Sequence, residues 1–267
     1  MKRTKRSGSR RLVLAFPPAA VPRPAIDLAT QLARSLGVSL LGLFIEDSDL
    51  FAAASLPFLR ELDARMRAWR PLSHKSLHED YAAIAEALRR ELLQSAAESG
   101  VEADFTIFRG NPRALVALGM DPSDLVALFE PITNWAAHKA VAAAGMIFLP
   151  RTARPQPGPV VVIAREDSDP EVEVASEIAV KANIRVVIVN PALVHSAFWL
   201  ERGKPQSARP APASLATSTE HFLQLGLPPA SLVVLTRATL ERLGQPLGLL
   251  AAGRSEPWLV LEDRQPE

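Results

Sequence analysis

The chain reads as an α/β protein built from two doubly wound parallel-sheet units in tandem. Three observations predict this. Short, wholly apolar runs such as Leu12 to Phe16 and Pro159 to Ala164 alternate with amphipathic helical stretches, the pattern of strands buried on both faces between helices. The same order of elements occurs twice. A stretch holding four prolines and one glycine, residues 150–159, lies between the two occurrences and reads as a linker.

In the first unit, Leu12 to Phe16 is a strand, and Pro17, Pro18, Pro22 and Pro24 force a loop. Ile26, Ala29, Leu32, Ala33 and Leu36 recur at spacings of three and four, which makes a helix closed by Gly37. Ser39 to Ile45 is the second strand. Asp47 or Ser48 can cap a short helix carrying Leu50, Phe51, Ala54 and Leu56. Beyond Pro57, residues 58–69 read as helix again. Tyr81 to Glu98 is a long Ala/Leu-rich helix ending at Gly100, and Val101 to Phe108 is a strand. Arg109 to Pro112 turns into a helix reaching Leu118. Asp124 to Phe129 and Met146 to Leu149 are strands, and Thr133 or Asn134 caps the helix between them.

The second unit repeats the plan in shorter form. Pro159 to Ala164 is a strand, and Asp167 to Asn183 is a helix with Pro170 in its first turn. Ile184 to Val189, Ser231 to Leu235 and Trp258 to Leu261 are strands. Residues 203–212 read as a surface loop, residues 215–225 as a helix, and residues 239–252 as mostly helix. The expected organisation is a basic tail over 1–11, units over 12–150 and 159–267, and a linker over 151–158. The second copy is expected to lack one strand–helix step.

Composition sets outer limits. A hydrophobic content of 48% over 267 residues is ample for a packed core. With no cysteine, disulfides, thiolate–zinc sites, iron–sulfur ligation and thiol catalysis are excluded. No apolar run approaches the length of a membrane span, so no span is expected. Lys2, Arg3, Lys5, Arg6, Arg10 and Arg11 carry six positive charges, and without them the net charge of +1 becomes −5. A strongly basic nucleic-acid-binding face is therefore not implied for the body. The tail reads as a solvated terminus rather than an arm for nucleic acid, acidic lipid or an acidic partner. Ser9-Arg10-Arg11 faintly suggests a twin-arginine signal, but the apolar run after it is too short, and a cytoplasmic location is expected.

The first unit resembles the universal stress protein family, whose fold belongs with the adenine nucleotide alpha hydrolases. Residues 11–46 carry the resemblance best, as RLVLAF, a Pro-rich loop, AIDLATQLARSLG and VSLLGLFIE. Phe105 to Pro112 resembles the family's third strand with its Gly-x-Pro turn, and Asp124 to Phe129 stands where the fourth strand would be. Residues 159–263 resemble a second, degenerate copy. Nucleotide-binding members place an acidic residue at the end of the first strand, where this chain has Phe16-Pro17-Pro18. They follow the fourth strand with Gly-x2-Gly-x9-Gly-Ser/Thr, whose backbone N–H groups close around phosphates. Here that stretch is Phe129-Glu130-Pro131-Ile132-Thr133-Asn134-Trp135, so ATP is not expected at the family site. The His-x-Gly-His and Ser-Gly-Gly signatures of related enzymatic branches are also missing.

Candidate chemistry is sparse. His74 and His78 stand at i, i+4 with Glu79 and Asp80 beside them, a spacing that can grip zinc. It lacks a Glu between the histidines, and a polar helix start explains it better. Glu46, Asp47 and Asp49 follow the second strand at the edge where open sheets bind ligands, but acids there also suit a helix N-terminus. Glu166, Asp167 and Asp169 repeat the arrangement. His138, His195 and His221 stand apart from any nucleophile signature. No catalytic residue, metal ligand or cofactor is assigned, and no enzymatic activity is expected.

Two surfaces remain as expectations. A ligand would lie over the strand ends, near Phe16, Ile45, Gly110, Asn111, Pro112, Glu130 and Asn134. A protein partner, or a second copy of the chain, would meet the apolar excursion at Leu50, Phe51, Leu56 and Phe58. The leading functional reading is a non-catalytic regulatory or adaptor protein of the stress-protein type. The alternative is a sensor for a nucleotide or other small ligand at the carboxyl ends of the strands.

Overall fold

The computed structural model describes residues 10–16, 21–56, 58–63, 66–110, 121, 123–129, 144–150, 152–189, 200–202, 229–244, 247–251 and 254–262. Its first half contains β1 (Arg11–Phe16), α1 (Arg23–Leu36), β2 (Ser39–Asp47), α2 (Ser48–Ala53), β3 (Arg60–Asp63) and β4 (Ala68–Pro71). There follow α3 (His74–Ser99), β5 (Ala103–Gly110), β6 (Leu125–Phe129) and β7 (Gly145–Leu149). The second half contains β8 (Val160–Ile163), α4 (Pro170–Ala182), β9 (Val186–Val189) and β10 (Leu200–Arg202). It closes with β11 (Leu232–Thr236), α5 (Arg237–Leu243), α6 (Leu247–Leu250) and β12 (Trp258–Leu261).

Ten of these strands form one sheet, in the order β10-β9-β8-β11-β12-β7-β6-β1-β2-β5. From β5 to β7 every neighbouring pair is parallel. From β9 to β12 the pairs are again parallel. Each half is thus doubly wound about its first strand, β1 or β8. The halves meet where β12 runs antiparallel to β7, pairing Trp258 with Phe148 and Leu261 with Gly145. The outermost position of the second half is taken by the three-residue β10, antiparallel to β9. A parallel strand holds that position in the first half, so the second half departs from the first at this step.

The wholly apolar strands are buried as their composition requires. β1, β7, β8, β9, β11 and β12 are closed to solvent along almost their whole length. One face of the sheet carries a single hydrophobic core that runs through both halves. It joins Ile26 and Ala29 of α1, Leu88 and Leu92 of α3, and Val172 and Ala175 of α4. α1 packs against α4, and Lys181 of α4 donates from Nζ to the carbonyl of Leu36 at 3.0 Å. That bond satisfies a carbonyl left open at the end of α1, where a cation also complements the helix dipole.

Helix ends follow the residues that mark them. α1 begins with Pro24 in its first turn and ends at Gly37 in the left-handed region, at φ 70°. α4 ends at Asn183, also left-handed. Two expectations need correction. The described residues of 58–69 form no helix; they contribute β3 and the start of β4, an antiparallel hairpin outside the main sheet. Phe58, Leu62, Met66 and Trp69 recur at a spacing that imitates a helix face. Cross-strand pairing wins instead, with Leu62 opposite Trp69 and Glu61 opposite Arg70, and Arg67 turning the chain at φ 50°. α3 also starts earlier than expected, at His74, because Ser73 caps it by accepting from the Ser76 N–H at 3.1 Å. The helices expected around 112–118, 134–144 and 215–225, and the loop at 203–212, lie outside the described residues.

Arg11, counted by sequence with the basic tail, is the first residue of β1. Its guanidinium forks onto the fully buried Asp124, with Nε to Oδ1 at 3.1 Å and Nη2 to Oδ2 at 2.6 Å. Asp124 also accepts from the Asp121 N–H at 3.0 Å. The pair ties the amino ends of two neighbouring parallel strands. Leaving a buried carboxylate uncompensated is expensive, so Arg11→Ala should lower stability by about 3 kcal/mol, read as a lower urea midpoint.

At the seam, Gly145 leaves no room for a side chain. A Cβ there would lie 2.9 Å from the carbonyl oxygen of Val260 and 3.2 Å from Leu125. The obstructing atom is backbone and cannot rotate away. Gly145→Ala should therefore cost about 1–3 kcal/mol and lower Tm in calorimetry.

Candidate functional site

In an open α/β sheet, ligands meet the carboxyl ends of the strands beside the point where the winding reverses. In the first half that edge is formed by Phe16, by Ile45, Glu46 and Asp47 of β2, by Arg109 and Gly110 of β5, and by Phe129 of β6. The remaining residues expected there, Asn111, Pro112, Glu130 and Asn134, lie outside the described residues.

Phe16 belongs to the core. It is fully buried, stacked on Phe129 with ring centroids 5.5 Å apart and tilted against Phe105 at 6.1 Å. Gly42 makes this possible, since a Cβ on it would lie 2.6 Å from Phe105 and 3.2 Å from Phe16. Two aromatic rings thus meet across a strand that offers no side chain between them. Ile45 is buried on the opposite face of the sheet with Ala15. Gly110 stands opposite Asp47, and a side chain on it would strike the Phe108 ring.

The acidic run after β2 is divided between two structural tasks. Register places Glu46 opposite Arg109, and the Arg109 Nε donates to Glu46 Oε2 at 2.7 Å. Glu46 is buried and its partner half-exposed. Asp47 caps α2 by accepting from the Asp49 N–H at 2.9 Å. In the second half, Asp169 holds the turn before α4 by accepting from the backbone of Arg165 and Glu166. The edge there also carries the Arg237–Glu262 ion pair at the ends of β11 and β12, with Nε to Oε2 at 2.7 Å.

α2 lies over this edge and turns Phe51 inward. The ring packs edge-on to Tyr81 at 5.5 Å, and the Arg109 guanidinium sits 4.7 Å from its centroid. Tyr81 in turn meets Phe44 edge-on at 5.8 Å. Of the four residues expected to contact a partner, Phe51 is therefore buried. Leu56 and Phe58 are open to solvent, at 44% and 74% exposure, and Leu50 stands at the margin. The apolar excursion divides into an inward plug and an outward surface.

His74 and His78 both lie on α3 and are exposed. His74 shares a hydrogen bond with Ser55 Oγ at 2.9 Å through Nε2. Among the described residues, no group of three or more His, Cys, Asp or Glu side chains is placed to hold a metal ion. His138, His195 and His221 lie outside the described residues.

The sequence reading did not single out Arg109 or Tyr81. Only the parallel register of β2 and β5 brings Arg109 onto Glu46, which is 63 residues away in sequence. Tyr81 is the only tyrosine in the chain. Its hydroxyl is buried and makes no hydrogen bond among the described residues. Burial, then the carboxylates of Asp47 and Glu46, hold its phenol above the ordinary pKa. Because the folded value is raised, the stability linked to this group is complete below the unfolded pKa. It is lost as pH rises through the folded value. Alkaline titration of phenolate absorbance should give a midpoint above that of free tyrosine, falling to the ordinary value of about 10 in denaturant. An unshifted native midpoint would contradict the buried placement.

No family model and no curated protein matches the sequence. Solved structures do match the fold. A universal stress protein from Archaeoglobus fulgidus DSM 4304 aligns over 94% of this chain and 98% of its own, with 11% identity and a TM-score of 0.52. A functionally unknown protein from Pseudomonas aeruginosa PAO1 aligns over 95% of this chain and 92% of its own, at 13% identity and a TM-score of 0.49. A putative universal stress protein from Pseudomonas aeruginosa UCBPP-PA14 aligns over 95% and 93%, also at 13% and 0.49. The mostly parallel sheet, doubly wound in each half, and its end-to-end alignment with the Archaeoglobus fulgidus protein give this chain a universal-stress-protein-like α/β fold.

Proposed function

We propose that the protein is a tandem universal-stress-type regulatory or adaptor protein that acts by protein–protein contact rather than catalysis. Residues 12–150 and 159–267 serve as two diverged copies joined by a linker over 151–158. Together they take the place of a dimer of single units, and the nucleotide-binding glycine motif has been lost. One observation carries the reading. At the edge where ligands would be handled, Glu46 is matched by Arg109 and Asp47 by a helix end, while Leu56 and Phe58 beside it face water. Among the described residues, the acids of this edge are occupied with structure, and Leu56 and Phe58 are free to bury surface. A cytoplasmic location fits this role.

A second reading is a sensor for a nucleotide or other small polar ligand at the carboxyl edge. The Tyr81 hydroxyl favours it, because a buried hydroxyl with no partner among the described residues calls for water or a ligand.

The two readings separate in solution. Leu56→Ser with Phe58→Ser should leave Tm unchanged and remove a protein that co-purifies with the wild type. Retention of that protein by the variant would count against the adaptor reading. Phe51 is left intact, since its loss would open the edge itself. In the same preparation, ATP or AMP with magnesium should leave Tm unmoved. A rise that grows with ligand concentration would overturn the first reading in favour of the sensor.

A further inference from the structure

Between β2 and α3 the chain leaves the main sheet and builds the β3–β4 hairpin. Its two faces differ. On one, Glu61 accepts from Arg70 Nε at 2.6 Å, and Arg70 reaches Asp80 of α3 at 3.9 Å. These contacts tie the hairpin to the start of α3, while Ala68 and Arg70 themselves stay exposed. On the other, Leu62 and Trp69 stand directly opposite one another, 55% and 61% exposed. Arg60 and Pro71 flank them on the same face and are exposed too. Arg60 is fixed there by a hydrogen bond from Nη2 to the Trp69 carbonyl at 3.0 Å. At the turn, Met66 is 77% exposed, beside the exposed Arg67. Arg60, Leu62 and Trp69 thus share one outward face, and Met66 and Arg67 stand exposed at the turn beyond it.

We infer that this hairpin is a docking element for an anionic lipid surface. Three features select that occupant. The first is charge: Arg60 and Arg67 flank the apolar pair, and cations beside Trp, Leu and Met are the composition that settles at an anionic interface. The second is exposure. All four residues of β4 are exposed, so a soft medium can close around Trp69 without a preformed pocket. The third is self-repulsion. A second copy docked on the same face would bring two surfaces carrying Arg60 and Arg67 together, and like charges meeting disfavour a symmetric dimer here. The hairpin stands at the carboxyl edge of β2, whereas Arg10 and Arg11 enter β1 at the amino edge. The inference goes beyond the adaptor reading and rests on hairpin residues that reading does not use.

The test is co-sedimentation of the full chain with vesicles of phosphatidylcholine alone and of phosphatidylcholine with phosphatidylglycerol. Binding is expected to the anionic vesicles, weaker at high salt, with a blue shift of tryptophan emission. Trp69→Ser should weaken it by about tenfold. Arg60→Glu with Arg67→Glu should abolish it, with Tm unchanged in each variant. Three results would each overturn the inference. One is the absence of binding to anionic vesicles. Another is binding that survives both hairpin variants but vanishes when Lys2, Arg3, Lys5 and Arg6 are changed to Ser. The last is a hairpin-dependent dimer in sedimentation velocity without vesicle binding, which would assign the face to a second copy.

Discussion

The structure depends on the antiparallel pairing of β7 with β12. Each half of the sheet would otherwise end in an apolar strand with unpaired backbone groups, an invitation to aggregation. Joining the two ends abolishes both edges at once and buries Trp258, Ile147 and Leu259 at the seam. Gly145 lets the backbones close there without a side chain between them. The core then continues from α1 to α4 over the same face, and Lys181 ties the end of one helix to the other. The two halves are thus linked through backbone bonds, apolar packing and a helix cap together. The chain is one cooperative body to the extent that these act together.

The same pairing separates the two carboxyl edges. Within each half the core strands are parallel, but β12 opposes β7. The strands of the two halves therefore point in opposite directions, and their carboxyl edges lie at opposite ends of the sheet. A site built at one edge cannot borrow side chains from the other. Each edge must balance its own charges, and the described residues show each doing so. Glu46 meets Arg109 in one half, and Arg237 meets Glu262 in the other. Buried carboxylates are costly unless paired, so these arginines are explained by the acids they neutralise.

Most of the sheet was legible in the sequence because its strands are apolar on both faces and bounded by proline or glycine. Leu12 to Phe16 and Trp258 to Leu261 needed no tertiary information. The helix ends at Gly37 and Asn183 were legible for a similar reason, as left-handed residues are chemically restricted. The hairpin was not legible. Phe58, Leu62, Met66 and Trp69 fit a helical period, and only the pairing of Leu62 with Trp69 shows otherwise. The site was legible by position but not by role. Asp47 reads as a cap from its neighbours, yet the partner of Glu46 lies on a distant strand. Phe51 looked like surface because apolar excursions often are, and its burial depends on Tyr81 and Arg109 closing over it. No local pattern encodes that contact.

Phe16 shows how far packing alone can account for this edge. Its ring fills the space at the end of β1, between Phe129 and Phe105, and Gly42 in the intervening strand gives the rings room to meet. A carboxylate in that position would be buried among aromatic rings, with no cation at hand among the described residues that contact Phe16, and would pay the full desolvation cost. The aromatic residue and the glycine are therefore parts of one solution. Changing either alone leaves a cavity or a clash. An edge stabilised in this way is already filled by the protein's own side chains at β1 and, through Phe51 of α2, beside Arg109 of β5. Beyond α2, where the chain leaves the sheet, Leu56 and Phe58 face water rather than the core.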